Sequence, residues 1–443
     1  MSRDLSTSEI VLVDIDGGKL DSSYRLAKKY NSAAGGKLNV KKSGRIKEAL
    51  QDCDFVINTV LAGAGHTLQE RVRSVSQSLG YYRGIESTEF NMVSDYATTF
   101  AGYDQLKYAL ELQKYIHDMA RDAWLINIAN PMFELQTMLL RENLIKSVSY
   151  CDGTLHGRQI AGFFGLDPDA SDFQVAGINH NIWLTRLRSE GEDQYPGIEK
   201  WIEKSSERYW TSNPFYRRFD PNISKDDISA NVQFSRVAVD MWEQYGLFPV
   251  GDTVRSGTWK YHYDLETKKR WYGPYGGFDS EIGWNAYLRQ LGANNARIRR
   301  LAEKGDSELL REIPMTMSHD PIIPFIEAIL FDKKLRAHLN VRNDDVISGL
   351  PENLAVEVSV AVDRRGIHPE KIVRLNDRIV KGFLMPRVTK MELALDAFYS
   401  GSKDVLLDII HRDVRTRSDE QASTVLEKIL RIPGNAAALK HYR

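Results

Sequence analysis

Apolar and polar positions in the first third of the chain switch repeatedly between two periods. EIVLVDID is a near-continuous apolar run closed by Asp14 and Asp16. It predicts a buried β-strand ending just before a turn at Gly17 and Gly18. SYRLAKKY then takes up the helical period, and DFVINTVLAGAGHT returns to an apolar strand, FVINTV, closed by a small-residue turn from Ala62 to Gly65. YDQLKYALELQKYIHDMARDA predicts a long amphipathic helix. WLINIANPMFELQTMLL reads as a strand, a turn at Asn130-Pro131 and a helix, and KSVSYCDGTLHG as a further short strand and turn. Strands separated by helices predict a doubly wound parallel sheet, with ligands held in the crevice at the carboxyl ends of the strands. The chemically interesting residues of this region fall at those ends.

The opening strand has a specific counterpart in dinucleotide-binding folds. There an acid at the tip of the second strand takes the ribose hydroxyls of NAD, about 20 residues after a Gly-rich turn that holds the pyrophosphate. Asp14 and Asp16 fit the acid, yet no strand and no glycine turn precede them in this sequence. The fold class expected is therefore α/β, a Rossmann-like sheet of the lactate/malate dehydrogenase kind without its first strand, joined to an α+β catalytic part.

From about Asp152 the pattern becomes mixed. It includes DFQVAGINHNIWLTRLR, a helical VAVDMWEQYG, a Gly- and aromatic-rich stretch from Tyr272 to Trp284, and a helical end from Val388 to Arg443. With no internal repeat or low-complexity linker, the division expected is an NAD-binding domain over 1–150 and an α+β catalytic and oligomerisation domain over 151–443, packed on the first. A chain of 443 residues, 42% hydrophobic and 27% charged, can bury a large core. Its formal net charge of -1, with both signs interspersed, gives no reason to expect nucleic acid or an anionic membrane as partner. No apolar run reaches the roughly 18 residues of a membrane span, and no signal-peptide pattern opens the chain. The compartment expected is the cytoplasm. The 2 cysteines, Cys53 and Cys151, form no disulfide framework and suit a reducing setting.

Three spots carry candidate chemistry. Cys151-Asp152 lies at a predicted strand end, and His180 lies in the turn of AGINHN; a thiolate and an imidazole together can hold a divalent metal. Taken alone, a strand-end cysteine is more often a small buried side chain. In GDTVRSGTWKYHYD, Asp252, Arg255 and Tyr261 crowd a Gly-rich turn that more often reads as a salt-bridged loop. Asn130, before Pro131, has the ordinary reading of a helix cap.

A resemblance adds what spacing leaves open. VDID, INTVLAGAGHT, YYRGIESTEFNMVSDY, IANPMFE, the Cys of SYCDG, VAGINHNIW, PVGDTVRSGTWKYHYDLETKK and GGFDSEIGW occur in order, with VDRRGIHPEKI and RTRSDEQ beyond them. Together they resemble glycoside hydrolase family 4, and within it the NAD- and manganese-dependent α-glucosidase branch. The resemblance implies hydrolysis of α-glycosides by an exception to the two-carboxylate scheme. NAD takes a hydride from sugar C3, and the C2 proton, now acidic, is removed. The C1 leaving group then departs, water adds back, and the hydride returns, so no net redox change results.

In this family pattern Cys151 and His180 match the metal ligands, for Mn²⁺ or another divalent ion such as Ni²⁺ or Co²⁺. Asp252 matches the acid serving C2 proton abstraction. Asn130 matches an asparagine on the sugar hydroxyl that loses hydride, and Asn179 is expected on metal or sugar. The NAD site would draw on Asp14, Asp16, Asn58 and Thr59. Asp152 stands where the α-glucosidase branch has His and resembles the 6-phospho-α-glucosidase pattern instead. It is expected either to protonate the leaving oxygen or to orient His156 or a ligand. Arg158, one turn on, is expected to pair with Asp152 or to face a C6 carboxylate or phosphate. The substrate classes left open are neutral α-glucosides, α-glucuronides or α-galacturonides, and 6-phosphosugars, with the neutral sugar or a uronide ahead.

Family members open with a strand and a G-x-G-S turn, whereas this chain starts at MSRDL. A chain starting there is expected to bind NAD weakly, and a misassigned start is the expected cause. The other classes in view are an NAD-dependent sugar or hydroxy-acid dehydrogenase and an inactive sugar-binding remnant. Relatives of this family lead us to expect a homodimer or homotetramer.

Overall fold

The computed structural model describes residues 5–63, 65–84, 102–316 and 319–443, and of residues 153 and 154 the backbone only. Most of the block YYRGIESTEFNMVSDY, from residue 85 on, and residues 1–4 of the opening segment lie outside the described residues.

Two sheets carry the fold. The smaller pairs β1 (Glu9–Val13) with β2 (Asn39–Ser43) in parallel, joined by a helix over Gly17–Ala33. The larger has ten strands. Its parallel part runs β3 (Phe55–Asn58), β4 (Trp124–Asn127), β5 (Lys146–Ser149). Helices over Tyr103–Met119 and Met132–Glu142 make the crossovers, as the period of the sequence predicts. The hairpin of β6 (Ser171–Ile178) and β7 (Asn181–Ser189) follows, with the short β8 (Glu192–Asp193) and β9 (Phe248–Val250) on β7.

β10 (Leu335–Arg342) and β11 (Ala355–Asp363) return from much later in the chain and insert between β5 and β6, with β12 (Gly366–Pro369) on β11. One sheet therefore runs through both halves of the chain, and residues after 151 are built into the layer that residues before 150 begin. Its centre is dry: Val356, Val358 and Val360 of β11 and Val175, Ala176, Trp183 and Leu184 of the hairpin are all 0% exposed. Trp183 packs edge-on to Tyr245 and Phe383. Burying a Val, Leu or Ile side chain contributes about 1.5–3 kcal/mol each.

The expected burial fails at β1. None of its five residues is buried, Ile10 and Val13 are 41% and 37% exposed, and Ile15 beyond it is 99% exposed. The reason is topological. Among the described residues β1 has β2 as its only strand partner, and β3 has β4 as its only one, so an apolar run meant for a sheet interior lies at an edge.

The helical C-terminus forms as expected over Met385–Ser400, Lys403–His411, Asp419–Leu430 and Ala436–His441. It closes on the first third of the chain. Arg415 of RTRSDEQ donates to the carbonyls of Tyr82 and Gly84 at 2.7 and 2.9 Å, and Gln421 donates to that of Leu79 at 2.8 Å. No helix among the described residues is long and apolar enough to cross a membrane.

Candidate active site

The site begins with a row of polar side chains across the sheet. Asn58, Asn127 and Ser149 are in register at the carboxyl ends of β3, β4 and β5, followed by Asn340 on β10 and Glu357 on β11. All five are at most 4% exposed. Asn58 Nδ2 donates to Asn127 Oδ1 at 2.9 Å, and Asn127 Nδ2 to Ser149 Oγ at 3.2 Å. Register neighbours present side chains on the same face, so one polar line joins the two halves of the sheet.

Just past that line β5 ends, and Cys151, 8% exposed, enters the helix Gly153–Phe163 through Asp152 at its N-terminus. The hairpin supplies His180. Ile178 pairs with Asn181, so Asn179 and His180 form a two-residue turn, and His180 takes the left-handed conformation at φ 64. Gly177 makes the tight turn possible, since a Cβ there would lie 1.9 Å from the Asn181 carbonyl oxygen. Thr253 then latches the next segment to the hairpin. Its Oγ1 accepts from Ile182 N at 2.7 Å and donates to Ile182 O at 2.8 Å. This brings Asp252, on the 3₁₀ turn Gly251–Arg255, to 3.6 Å from His180 Nε2.

Cys151, Asp152, His156, His180, Ile182, Asp252 and Glu357 line one small cleft. The Cys151 thiol lies 3.8 Å from Asp152 Oδ1. Burial holds the His180 imidazole below its ordinary pKa against the opposing charge of Asp252, which favours the neutral ring a metal requires. Burial raises Asp252, but the Arg255 charge, then His180 and His156, outweigh it and hold this carboxyl well below the ordinary range. Arg255 binds Asp252 Oδ1 at 2.6 Å and Asp279 at 2.7 and 2.9 Å. Glu357 moves the other way. Burial pushes it up to about 7 against hydrogen bonds from Asn179 and Asn340, with the charges of Asp152 and Asp252 adding.

The two expected metal ligands share the cleft, and among the described residues no cluster of three His, Cys, Asp or Glu could hold a metal ion. A soft thiol and a neutral imidazole facing an open cleft fit a divalent ion whose remaining ligands are sugar or water oxygens. Asn130 gives a second sign of a missing ligand, because its Oδ1 is buried with no hydrogen-bond partner among the described residues. It does not cap the following helix, whose first residue follows Pro131 without a side-chain cap. Behind that turn Glu134 and Arg387 form a buried ion pair that the sequence pattern did not disclose.

Other expected residues lie elsewhere. Arg158 pairs neither with Asp152 nor with the cleft: its Nη2 donates to Asp169 Oδ1 at 2.7 Å, because its helix turns it toward the loop at Pro168. Tyr261 is directed to Asp240, away from Asp252. His156 bonds Gln159 at 3.1 Å. Asn179 Nδ2 donates to Glu357 Oε2 at 2.8 Å. Of the candidate NAD residues, Asp16 caps the helix Gly17–Ala33 by accepting from Gly18 and Lys19, Asp14 accepts from Asp16 N at 2.8 Å, and Thr59 is exposed beside buried Asn58. They sit at the carboxyl ends of β1 and β3. Glu357 was missed, although its signal was present: AVEVSVAV is an apolar run with one acid inside it.

The chain belongs to family 4 of the glycosyl hydrolases and is a glycosidase. Residues 1–160 match the model for family 4 glycosyl hydrolase, and residues 175–416 match that for the family's C-terminal domain. It is 22% identical to an α-galactosidase of Bacillus subtilis over 91% of this chain and 87% of that protein. With an α-galacturonidase of Lachnoclostridium phytofermentans it shares 23% identity over 89% and 83%. Its fold is similar to that of a 6-phospho-α-glucosidase from gut microorganisms solved with NAD and Mn²⁺, at a TM-score of 0.73 and 18% identity over 96% of this chain and 91% of that one.

Proposed function

We propose that the protein hydrolyses neutral α-glycosides, α-glucosides foremost, through oxidation and elimination at the sugar ring. The observation that carries this reading is the meeting of Cys151, Asp152, His180 and Asp252 in one cleft. Bound NAD would supply reversible hydride acceptance, and a divalent ion held by Cys151 and His180 would supply positive charge for the negative charge that develops on the sugar. Asn130 Oδ1, an acceptor without a partner among the described residues, binds the C3 hydroxyl and sets C3 for hydride departure. Asp252, ionised and fixed by Arg255, takes the C2 proton on Oδ2 beside His180. Asp152, exposed and lining the same cleft beside Cys151, gives a proton to the departing glycosidic oxygen.

The cleft lining supports a neutral sugar. Among the described residues it contains three acids and no Lys or Arg, and Arg158 is engaged with Asp169. The lining therefore offers no cationic side chain to a uronide carboxylate or a 6-phosphate. The test is a panel of 4-nitrophenyl α-glucoside, α-glucuronide and 6-phospho-α-glucoside, assayed with NAD and Mn²⁺ under reducing conditions. The expected result is free glucose with NAD needed only in catalytic amount. NADH accumulating without sugar release would identify a dehydrogenase instead.

A further inference from the structure

Glu357 is an acid of the cleft for which the reaction above has no use. It is 1% exposed and lies on β11 between Val356 and Val358, both fully buried. A carboxyl group in such a place carries a desolvation cost unless every oxygen it presents is bonded. Its partners are specific. Asn179 donates to Oε2 at 2.8 Å, Asn340 bonds it from the neighbouring strand, and Gly177, two residues before Asn179, is its register partner on β6. Asn340 in turn donates to Met132 Sδ at 3.4 Å, two residues beyond Asn130. Glu357 thus stands beside the His180 turn and, through Asn340, one contact from the start of the helix that follows Asn130.

The His180 turn needs an anchor. A non-glycine residue at φ 64 carries backbone strain and persists only where its surroundings fix it. Thr253 holds one side of the turn through Ile182, and the Asn179–Glu357 bond holds the other.

We propose that Glu357 is a positioning residue that, through the Asn179 amide, keeps His180 in the left-handed conformation and its imidazole facing the cleft. The inference rests on His180 being a metal ligand, as the proposed function has it. A hydrogen-bonded partner behind a ligand typically sets metal affinity by 10–100-fold.

The test is Mn²⁺ binding by the chain without NAD or sugar, read from the electron paramagnetic resonance of free and bound ion, with circular dichroism establishing that each variant is folded. Glu357→Leu is expected to weaken Mn²⁺ binding about 10–100-fold. Glu357→Gln, which still accepts from Asn179 and offers a donor to Asn340 Oδ1, an atom with no partner among the described residues, is expected to stay within about threefold of wild type. Asn179→Ala is expected to match Glu357→Leu, and the double variant to lose no more than the worse single, because the two act as one unit. Should Glu357→Leu not fold, Asn179→Ala decides alone. Wild-type affinity in folded Glu357→Leu or Asn179→Ala, where wild type binds Mn²⁺ and Cys151→Ser does not, overturns the positioning role and leaves the metal reading intact. A folded wild type that takes up no Mn²⁺ overturns the metal reading and this proposal with it.

Discussion

β1 and β11 are written in the same alphabet and meet opposite fates. EIVLV and AVEVSVAVD are both apolar runs that carry acids, yet β1 has no buried residue and β11 is buried along most of its length. The difference is the number of neighbours. β11 has β10 on one side, β6 and β12 on the other and helices above, whereas β1 has β2 alone. An apolar run records a capacity for burial, and the partners supplied by the rest of the chain decide whether it is used. The acids follow the same division. Asp14 and Asp16 at the end of β1 face water and bond backbone amides, while Glu357 inside β11 is held among valines by two amides.

The sharpest way to break this comparison is to ask which function each region carries. Cys151→Ser and His180→Ala, in the built interior, are expected to lower glycoside hydrolysis by on the order of a thousandfold or more and to abolish metal uptake, with the fold intact by circular dichroism. Asp14→Ala, at the edge, is expected to weaken NAD binding by about tenfold and leave Mn²⁺ uptake unchanged, as calorimetry would show. Hydrolysis that survives prolonged chelation would remove the interior from the account.

Stability should divide in the same way. Leu184→Ala, at a fully buried position of β7, is expected to cost about 2–5 kcal/mol in urea unfolding. Ile10→Ala on β1 is expected to change stability by less than about 0.5 kcal/mol. Equal losses would mean that β1 is buried in the working protein. A smaller effect separates roles within the cleft. Asp152→Asn should slow glycosides with poor leaving groups about a hundredfold and 4-nitrophenyl glycosides under tenfold, because only the former need the acid. Equal losses for both would make Asp152 a structural residue.

The smallest effect is in pH dependence, where the two regions differ in sign. Asp16 is lowered, first by the Lys19 amide at the helix terminus, so its stabilisation is present above the unfolded pKa and is lost as pH falls through the folded one. Glu357 is raised to about 7, so the folded state holds its proton more tightly and stability declines as pH rises from the unfolded value toward 7. Glu357→Gln should flatten the decline between about pH 4.5 and 7, and Asp16→Ala should flatten the acid limb. Thermal melts across pH would show whether both slopes change as stated.

What was legible in the sequence follows from this. Helical periods and strand ends could be read because each depends on a few adjacent residues, whereas Cys151, Asp152, His180 and Asp252, which the fold brings to one cleft, stood out only through the family resemblance of their short motifs. The exposure of β1 could not be read, since it depends on strands far away in the chain. Arg158 looked available because sequence shows its helix position but not Asp169 eleven residues on. Glu357 went unnoticed because its meaning lies in register with Gly177 and Asn340, a relation made only when β10 and β11 insert beside β5.

The central claim is that Asp252 removes the C2 proton of a sugar held in the Cys151–His180 cleft. The most direct test is hydrolysis of 4-nitrophenyl α-glucoside in D₂O with NAD and Mn²⁺, with the glucose analysed by NMR. The account predicts deuterium at C2 of the released glucose, because the proton taken by Asp252 exchanges with solvent before it returns. Glucose released with only hydrogen at C2 would contradict it.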